Sequence, residues 1–186
     1  MLRRFHHDGD VTAEAAVMAR LRENGFPVPE VHAAAGTDLI MELVPGPTLV
    51  VAIRNGDMGI AEAAAIMVEL HERLRALQVL HLDLHPDNVL MGPDGPVLID
   101  WTNSAEGPPE LDAAVSALIL AQEAVSGSAV AELADELLRA FAVHIDAVAE
   151  LDQAVQFRRA NPTMSEQELA DLDRAADLVR EATAGR

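Results

Sequence analysis

His81-Leu82-Asp83-Leu84-His85-Pro86-Asp87-Asn88-Val89-Leu90, then Met91-Gly92-Pro93-Asp94-Gly95-Pro96, then Val97-Leu98-Ile99-Asp100-Trp101 is the stretch that organises this chain. Its Pro-Asp-Gly centre, set between two short apolar runs, predicts a β-hairpin. If the turn is centred near Asp94, antiparallel pairing sets Asn88 roughly opposite Asp100. Directly opposed side chains have Cβ atoms about 4.5–5.5 Å apart, a span that a magnesium ion with oxygen ligands at about 2.0–2.1 Å can bridge. Asp83 lies in the polar loop ahead of the first strand, free to act as a base.

This pattern, His-x-Asp-x-x-x-x-Asn followed by a hydrophobic strand ending in Asp, resembles the catalytic loop and metal-binding segment of protein-kinase-like phosphotransferases. Leu84-His85-Pro86 after the Asp, and Ile99-Asp100-Trp101 in place of Asp-Phe-Gly, are similar to the aminoglycoside phosphotransferase and choline kinase branch. The resemblance implies an enzyme of α+β, protein-kinase-like fold, with a reduced N-terminal lobe over residues 1–47 and a mainly helical C-terminal lobe over 48–186. It implies transfer of the γ-phosphoryl of ATP or GTP to a hydroxyl on a small molecule. Asp83 would orient or deprotonate that hydroxyl, while Asn88 and Asp100 hold Mg2+ on the nucleotide phosphates. Two rival readings use the same letters. Asp83, Asn88 and Asp100 could merely cap a hairpin, or His81, Asp83 and His85 could clasp zinc, which leaves Asn88 and Asp100 without a part.

Upstream, residues 11–24 read as an amphipathic helix ended by Gly25 and capped by Thr12 or Asp10. The inward stripe of Val17, Met18 and Leu21 also carries Glu14, a carboxylate on an apolar face that needs a cation. In the family a strand lysine on the phosphates is held by a helix glutamate, and Glu14 matches that glutamate. The chain has no lysine, since its 13 basic residues are all arginines. Arg3 or Arg4, on the preceding strand, is therefore the expected partner and phosphate ligand, although a guanidinium differs from an ammonium in reach and shape. Asp38–Val44 reads as a buried strand stopped by Pro45-Gly46-Pro47, and the resemblance makes Glu42, Leu43 and Val44 the hinge whose backbone receives adenine. No closely spaced glycines precede it, so either the chain is an N-terminally shortened kinase-like version without the phosphate-covering loop, or another structure replaces that lid. An alternative follows: a degenerate kinase-like protein that binds nucleotide or a partner without turnover.

Downstream, apolar positions 63, 66, 67, 70, 74 and 77 predict a helix over Ile60–Leu77, with His71 a satisfied core histidine. Helices are expected over 111–125, 129–141, 144–160 and 165–183, the last opened by a capping box between Ser165 and Glu168. Asp112 is expected to serve its own helix start, and Arg158 and Arg159 to complement a helix end. Asp146, Glu150 and Asp152 either meet a cationic acceptor or face solvent.

A formal charge of −18 disfavours nucleic acid and anionic membranes as partners and suits a cationic small substrate. The absence of cysteine excludes disulfides, a thiol nucleophile and zinc–thiolate sites. No leading apolar signal and no run near the roughly 20 residues of a spanning helix are present, so a cytoplasmic location is expected.

Overall fold

A computed structural model describes residues 1–4 and 11–185, with Arg4 as backbone only. Asp10, one of the two expected helix caps, lies outside the described residues.

The first part of the chain forms β1 (Leu2–Arg4), α1 (Thr12–Glu23), β2 (Val31–Ala35) and β3 (Asp38–Met41), the strands pairing antiparallel in the order β1-β3-β2. Arg3 lies level with Leu39 on β3. Helix α1 turns Glu14, Met18 and Leu21 inward, as its periodicity predicts. Thr12 is already helical, and Val11 holds the cap position, with its N–H on the Gly36 carbonyl at 3.1 Å. Strand β3 stops at Met41 and does not run on to Val44. Beyond Glu42, whose N–H still reaches the Glu30 carbonyl at 2.8 Å, the neighbouring chain is Pro29, which has no N–H to offer the ladder.

The larger part follows as α2 (Leu49–Arg54), α3 (Ile60–Leu77), a 3-10 turn at Pro86–Asn88, β4 (Val89–Gly92), β5 (Gly95–Leu98), α4 (Pro109–Val125), α5 (Ala131–Ala142), α6 (Leu151–Arg159) and α7 (Glu166–Ala184). Helix α4 is apolar nearly all round and lies at the centre, touching α3, α5, α6 and α7. The continuous helix expected over 144–160 is instead a turn followed by α6. Asp146 Oδ1 accepts the Val148 and Ala149 N–H groups at 3.3 Å each, a local bond that competes with helix formation. Ser165 and Glu168 do form the reciprocal capping box.

One contiguous core runs from Met18, Leu21 and Leu39 through Leu84, Leu98 and Trp101 to Phe141 and Val179. A small antiparallel sheet with one helix, ahead of a helical body that carries a hairpin, is the reduced kinase-like α+β arrangement that the central motif implied.

Candidate active site

The hairpin forms where the sequence puts it, but its register differs by one residue from the expected one. Val89 pairs with Leu98 and Gly92 with Gly95, so Pro93 and Asp94 alone make the turn. Asn88 is then level with Ile99, whose N–H donates to the Asn88 carbonyl at 2.9 Å, and Asp100 lies one position further on. A slip of one would ordinarily send a side chain to the opposite face. Here the strand has already ended at Leu98, and the left-handed backbone of Asp100 (φ +66°) breaks the alternation.

The loop before the hairpin is held by two buried side chains. His81 is fully buried, and its Nε2 donates to the Ile99 carbonyl at 3.0 Å while Nδ1 accepts the Asp83 N–H at 3.2 Å. A carbonyl can only accept and an N–H only donate, so the ring is neutral and protonated on Nε2. Burial holds its pKa below the ordinary 6.5 against the opposing pull of Asp112, the Ile99 carbonyl, Asp83 and Asp100. Because both ring nitrogens are engaged, His81 is not available to the zinc arrangement. Among the described residues, no group of three or more His, Cys, Asp or Glu is placed to hold a metal ion.

Asp112 is the second anchor, and it does not cap its own helix as expected. Its Oδ1 accepts the N–H groups of His81 at 3.1 Å and Leu82 at 2.6 Å, at a point where Leu82 has a left-handed φ of +60°. Burial pushes the Asp112 pKa up, but His71, His81 and the Leu82 N–H outweigh it and hold it below 3.8. His71 Nε2 meets Ser116 Oγ at 3.0 Å, which makes it the satisfied core histidine its helix position suggested. Trp101 lies beneath, fully buried, edge-on to His81 with ring centroids 4.6 Å apart.

On this base Asp83 is fixed at both of its backbone polar groups: its N–H by His81 and its carbonyl by Asn88 Nδ2 at 2.9 Å. The same Nδ2 lies 3.3 Å from Asp83 Oδ2. The carboxylate is still 25% exposed, so a ligand can reach it. With its nitrogen spent on Asp83, Asn88 keeps Oδ1 clear of any hydrogen bond from the described residues.

Arg3, not lysine, supplies the cation opposite Glu14. Its Nη1 is 3.2 Å from Glu14 Oε1, and its Nη2 is 2.7 Å from Asp100 Oδ1 and 3.2 Å from Thr102 Oγ1. Thr102, which the motif did not single out, also donates to Asp100 Oδ1 at 2.9 Å. Burial raises the Glu14 pKa, Asp100 adds to the rise, and Arg3 and the Trp101 N–H oppose it. Asp100 goes the other way: burial pushes up, but Arg3, Thr102 and His81 bring it below 3.8. The Asp100 Oδ2 and the Asn88 Oδ1 remain as hard oxygen donors. That set suits magnesium, which is usually bound through one or two carboxylates together with phosphate oxygens and water.

Residues 42–47 connect the two parts. Glu42 turns to Arg22 Nη1 at 3.5 Å and the Glu30 N–H at 3.1 Å, and Leu43 is 69% exposed. Val44 approaches Gly92, and the Pro47 carbonyl accepts the Met91 N–H at 2.8 Å, so the segment lies along β4. On the other side of the loop a cavity of about 290 Å³ opens beside His85, Pro86 and Asp87, walled by α4 and α5 and reached by Arg158. Asp146, Glu150 and Asp152 do not line it; Asp152 pairs with Arg180 at 3.2 Å.

The phosphotransferase enzyme family profile matches residues 49–152, which contain Asp83, Asn88, Asp100 and Asp112. No curated protein matches the chain. Among the described residues, no helix is long and apolar enough to cross a membrane.

Proposed function

The chain belongs to the phosphotransferase enzyme family, and from that premise we propose that it transfers the γ-phosphoryl of a nucleoside triphosphate, ATP or GTP, to a hydroxyl of a small molecule. The observation that carries this reading is the fixation of Asp83: both its peptide groups are tied down while its carboxylate stays open to a ligand. A base held this way can take a hydroxyl proton without first reorganising, and such preorganisation is the main lever in phosphoryl transfer.

In this proposal Asp83 accepts the acceptor's proton, and Asn88 and Asp100 hold Mg2+. Magnesium held by these two side chains would supply positive charge against the nucleotide phosphates. Glu14 orients Arg3, whose guanidinium faces the phosphates in the role that a lysine has in the family. Backbone groups of Glu42, Leu43 and Val44 receive the base, with the division between a small lobe and a helical lobe near residue 47. The donor is a cytoplasmic metabolite, which puts the proposed reaction there.

A second reading, nucleotide binding without turnover, is favoured by one observation: Arg3 already sits on Asp100 Oδ1 at 2.7 Å, where it competes with a metal ion. A phosphotransfer and ATP hydrolysis assay, run beside a thermal-shift titration with ATP and magnesium, separates the two. The enzyme reading predicts turnover that falls by about 10²–10⁴ in Asp83→Ala while nucleotide binding is kept. A magnesium-dependent nucleotide shift with no turnover selects the binding-only reading.

A further inference from the structure

We propose that the cavity beside His85 takes the acceptor, and that the acceptor is an apolar molecule with a hydroxyl at one end and a carboxylate or similar anion at the other, bound by Arg158. The proposal rests on the phosphotransferase reading for the hydroxyl end, because His85 Nε2 lies 3.9 Å from Asp83 Oδ2 and so joins the cavity to the proposed base.

The walls decide the body of the ligand. Ile119 and Leu120 of α4 and Leu133 and Leu137 of α5 make most of the lining apolar. Arg158 of α6 decides the far end. Its Nε donates to Gln122 Oε1 at 2.9 Å, and it forms no ion pair among the described residues. Burial lowers its pKa, and Asp83 and Glu168 oppose that from beyond contact. A half-buried guanidinium without a counter-ion at contact distance is costly, and an anionic ligand group would supply that contact.

Gln122 gives a second, independent pointer. It is 7% exposed and lines the cavity, and its Nε2 is buried without an acceptor. Arginine cannot accept a hydrogen bond, so the bond from Arg158 fixes which end of the amide is oxygen and leaves the nitrogen as a buried donor without an acceptor. Two unmatched donors on one wall ask for oxygen acceptors.

The acidic residues around the cavity point the other way, but among the described residues none lies within ion-pair distance of Arg158. Glu168 accepts the Ser165 N–H at 2.8 Å and Ser165 Oγ at 2.6 Å, and Glu123 accepts Ser128 Oγ. Asp87 is exposed and takes Thr48 Oγ1 at 3.4 Å. Asp87 and Glu168 are exposed, where solvent weakens their pull relative to that of a half-buried guanidinium at contact distance. In the balanced step the hydroxyl proton passes to Asp83, the hydroxyl oxygen bonds to the γ-phosphorus, and the bond to the β-γ bridging oxygen breaks to release nucleoside diphosphate.

Binding is measured by calorimetry, without nucleotide, for ω-hydroxyhexanoate, its amide and the matching amino alcohol. Wild type is expected to bind the carboxylate roughly tenfold or more tightly than the other two; Arg158→Gln removes that preference and Arg158→Lys keeps part of it. Equal or tighter binding of the amino alcohol by wild type, no preference among the three, or a preference that survives Arg158→Gln would overturn the proposal. The wild-type comparison alone decides the matter if Arg158→Gln folds poorly. Because no nucleotide is present, failure here leaves phosphoryl transfer standing, and carboxylate binding without turnover strikes only at the transfer.

Discussion

His81 shows how one buried side chain can set the geometry of a reactive one. Its neutral ring ties the Asp83 N–H to the Ile99 carbonyl, and the bond from Asp83 depends on Nδ1 staying unprotonated. A base whose pKa falls on folding contributes stability above its unfolded value that is lost as pH drops. That loss begins near 6.5 for His81. Asp112, a carboxylate lowered from 3.8, follows the same direction at lower pH. Glu14, raised from 4.5, has the opposite sign: its contribution is whole below 4.5 and declines as pH rises through its folded value. Thermal melts should therefore show stability falling from about pH 7 to about pH 5 in wild type, and a flatter slope in His81→Asn, which also loses about 1–3 kcal/mol at neutral pH. At Arg3 the expected outcome is a loss of roughly 1–3 kcal/mol in Arg3→Ala, because Glu14 is left buried without its cation. Adding Glu14→Gln to that variant should restore part of the loss, as read by denaturant unfolding. The roles of Asp83, Asn88 and Asp100 were open to proposal from spacing alone. Asp112 was not, since its two bonds span about thirty residues and leave no local pattern.

At the scale of elements, the connection over residues 42–47 and the hairpin are fitted to each other through Gly46. Its φ is +135°, and a Cβ there would collide with the Met91 carbonyl oxygen. Gly95, in the hairpin turn, has a comparable φ of +120° but open space around it. Gly46→Ala should therefore cost more than Gly95→Ala, about 1–3 kcal/mol for the strain plus the displacement of β4, and the difference is measurable by denaturant unfolding of the two variants. Pro45-Gly46-Pro47 reads as the strand stop, yet β3 ends earlier, at Met41, and the close approach of Gly46 to β4 is a tertiary fact that the letters do not hold. The hairpin register was missed by one for a related reason. Pro-Asp-Gly marks a turn without saying whether its centre falls on Asp94 or between Pro93 and Asp94. Helix α6 began later than expected because apolar spacing cannot show that Asp146 will spend its carboxylate on the Val148 and Ala149 N–H groups.

For the molecule as a whole, the fold class was readable because long periodic helices and one dense motif dominate the chain. Helix α2 was not, being only six residues long. The cavity chemistry was hidden as well: Arg158 reads as a helix-end charge until α4 brings Gln122 against it. The net charge of −18 has a consequence of its own, since like charges repel in the compact state. Raising ionic strength from a few millimolar to about 0.15 M, where the Debye length is about 8 Å, should raise the melting temperature through screening alone. Neither the charge nor the fold tests the proposed centre, in which Asn88 and Asp100 share a divalent ion with nucleotide phosphates. The most direct measurement is a titration of the protein with Mn2+ in the presence of ATP, followed by water-proton relaxation, for wild type, Asn88→Ala and Asp100→Ala. The account predicts nucleotide-dependent manganese binding in wild type and its loss in both variants; wild type that adds nothing to the signal of free Mn–ATP, or variants that bind as wild type does, would contradict it.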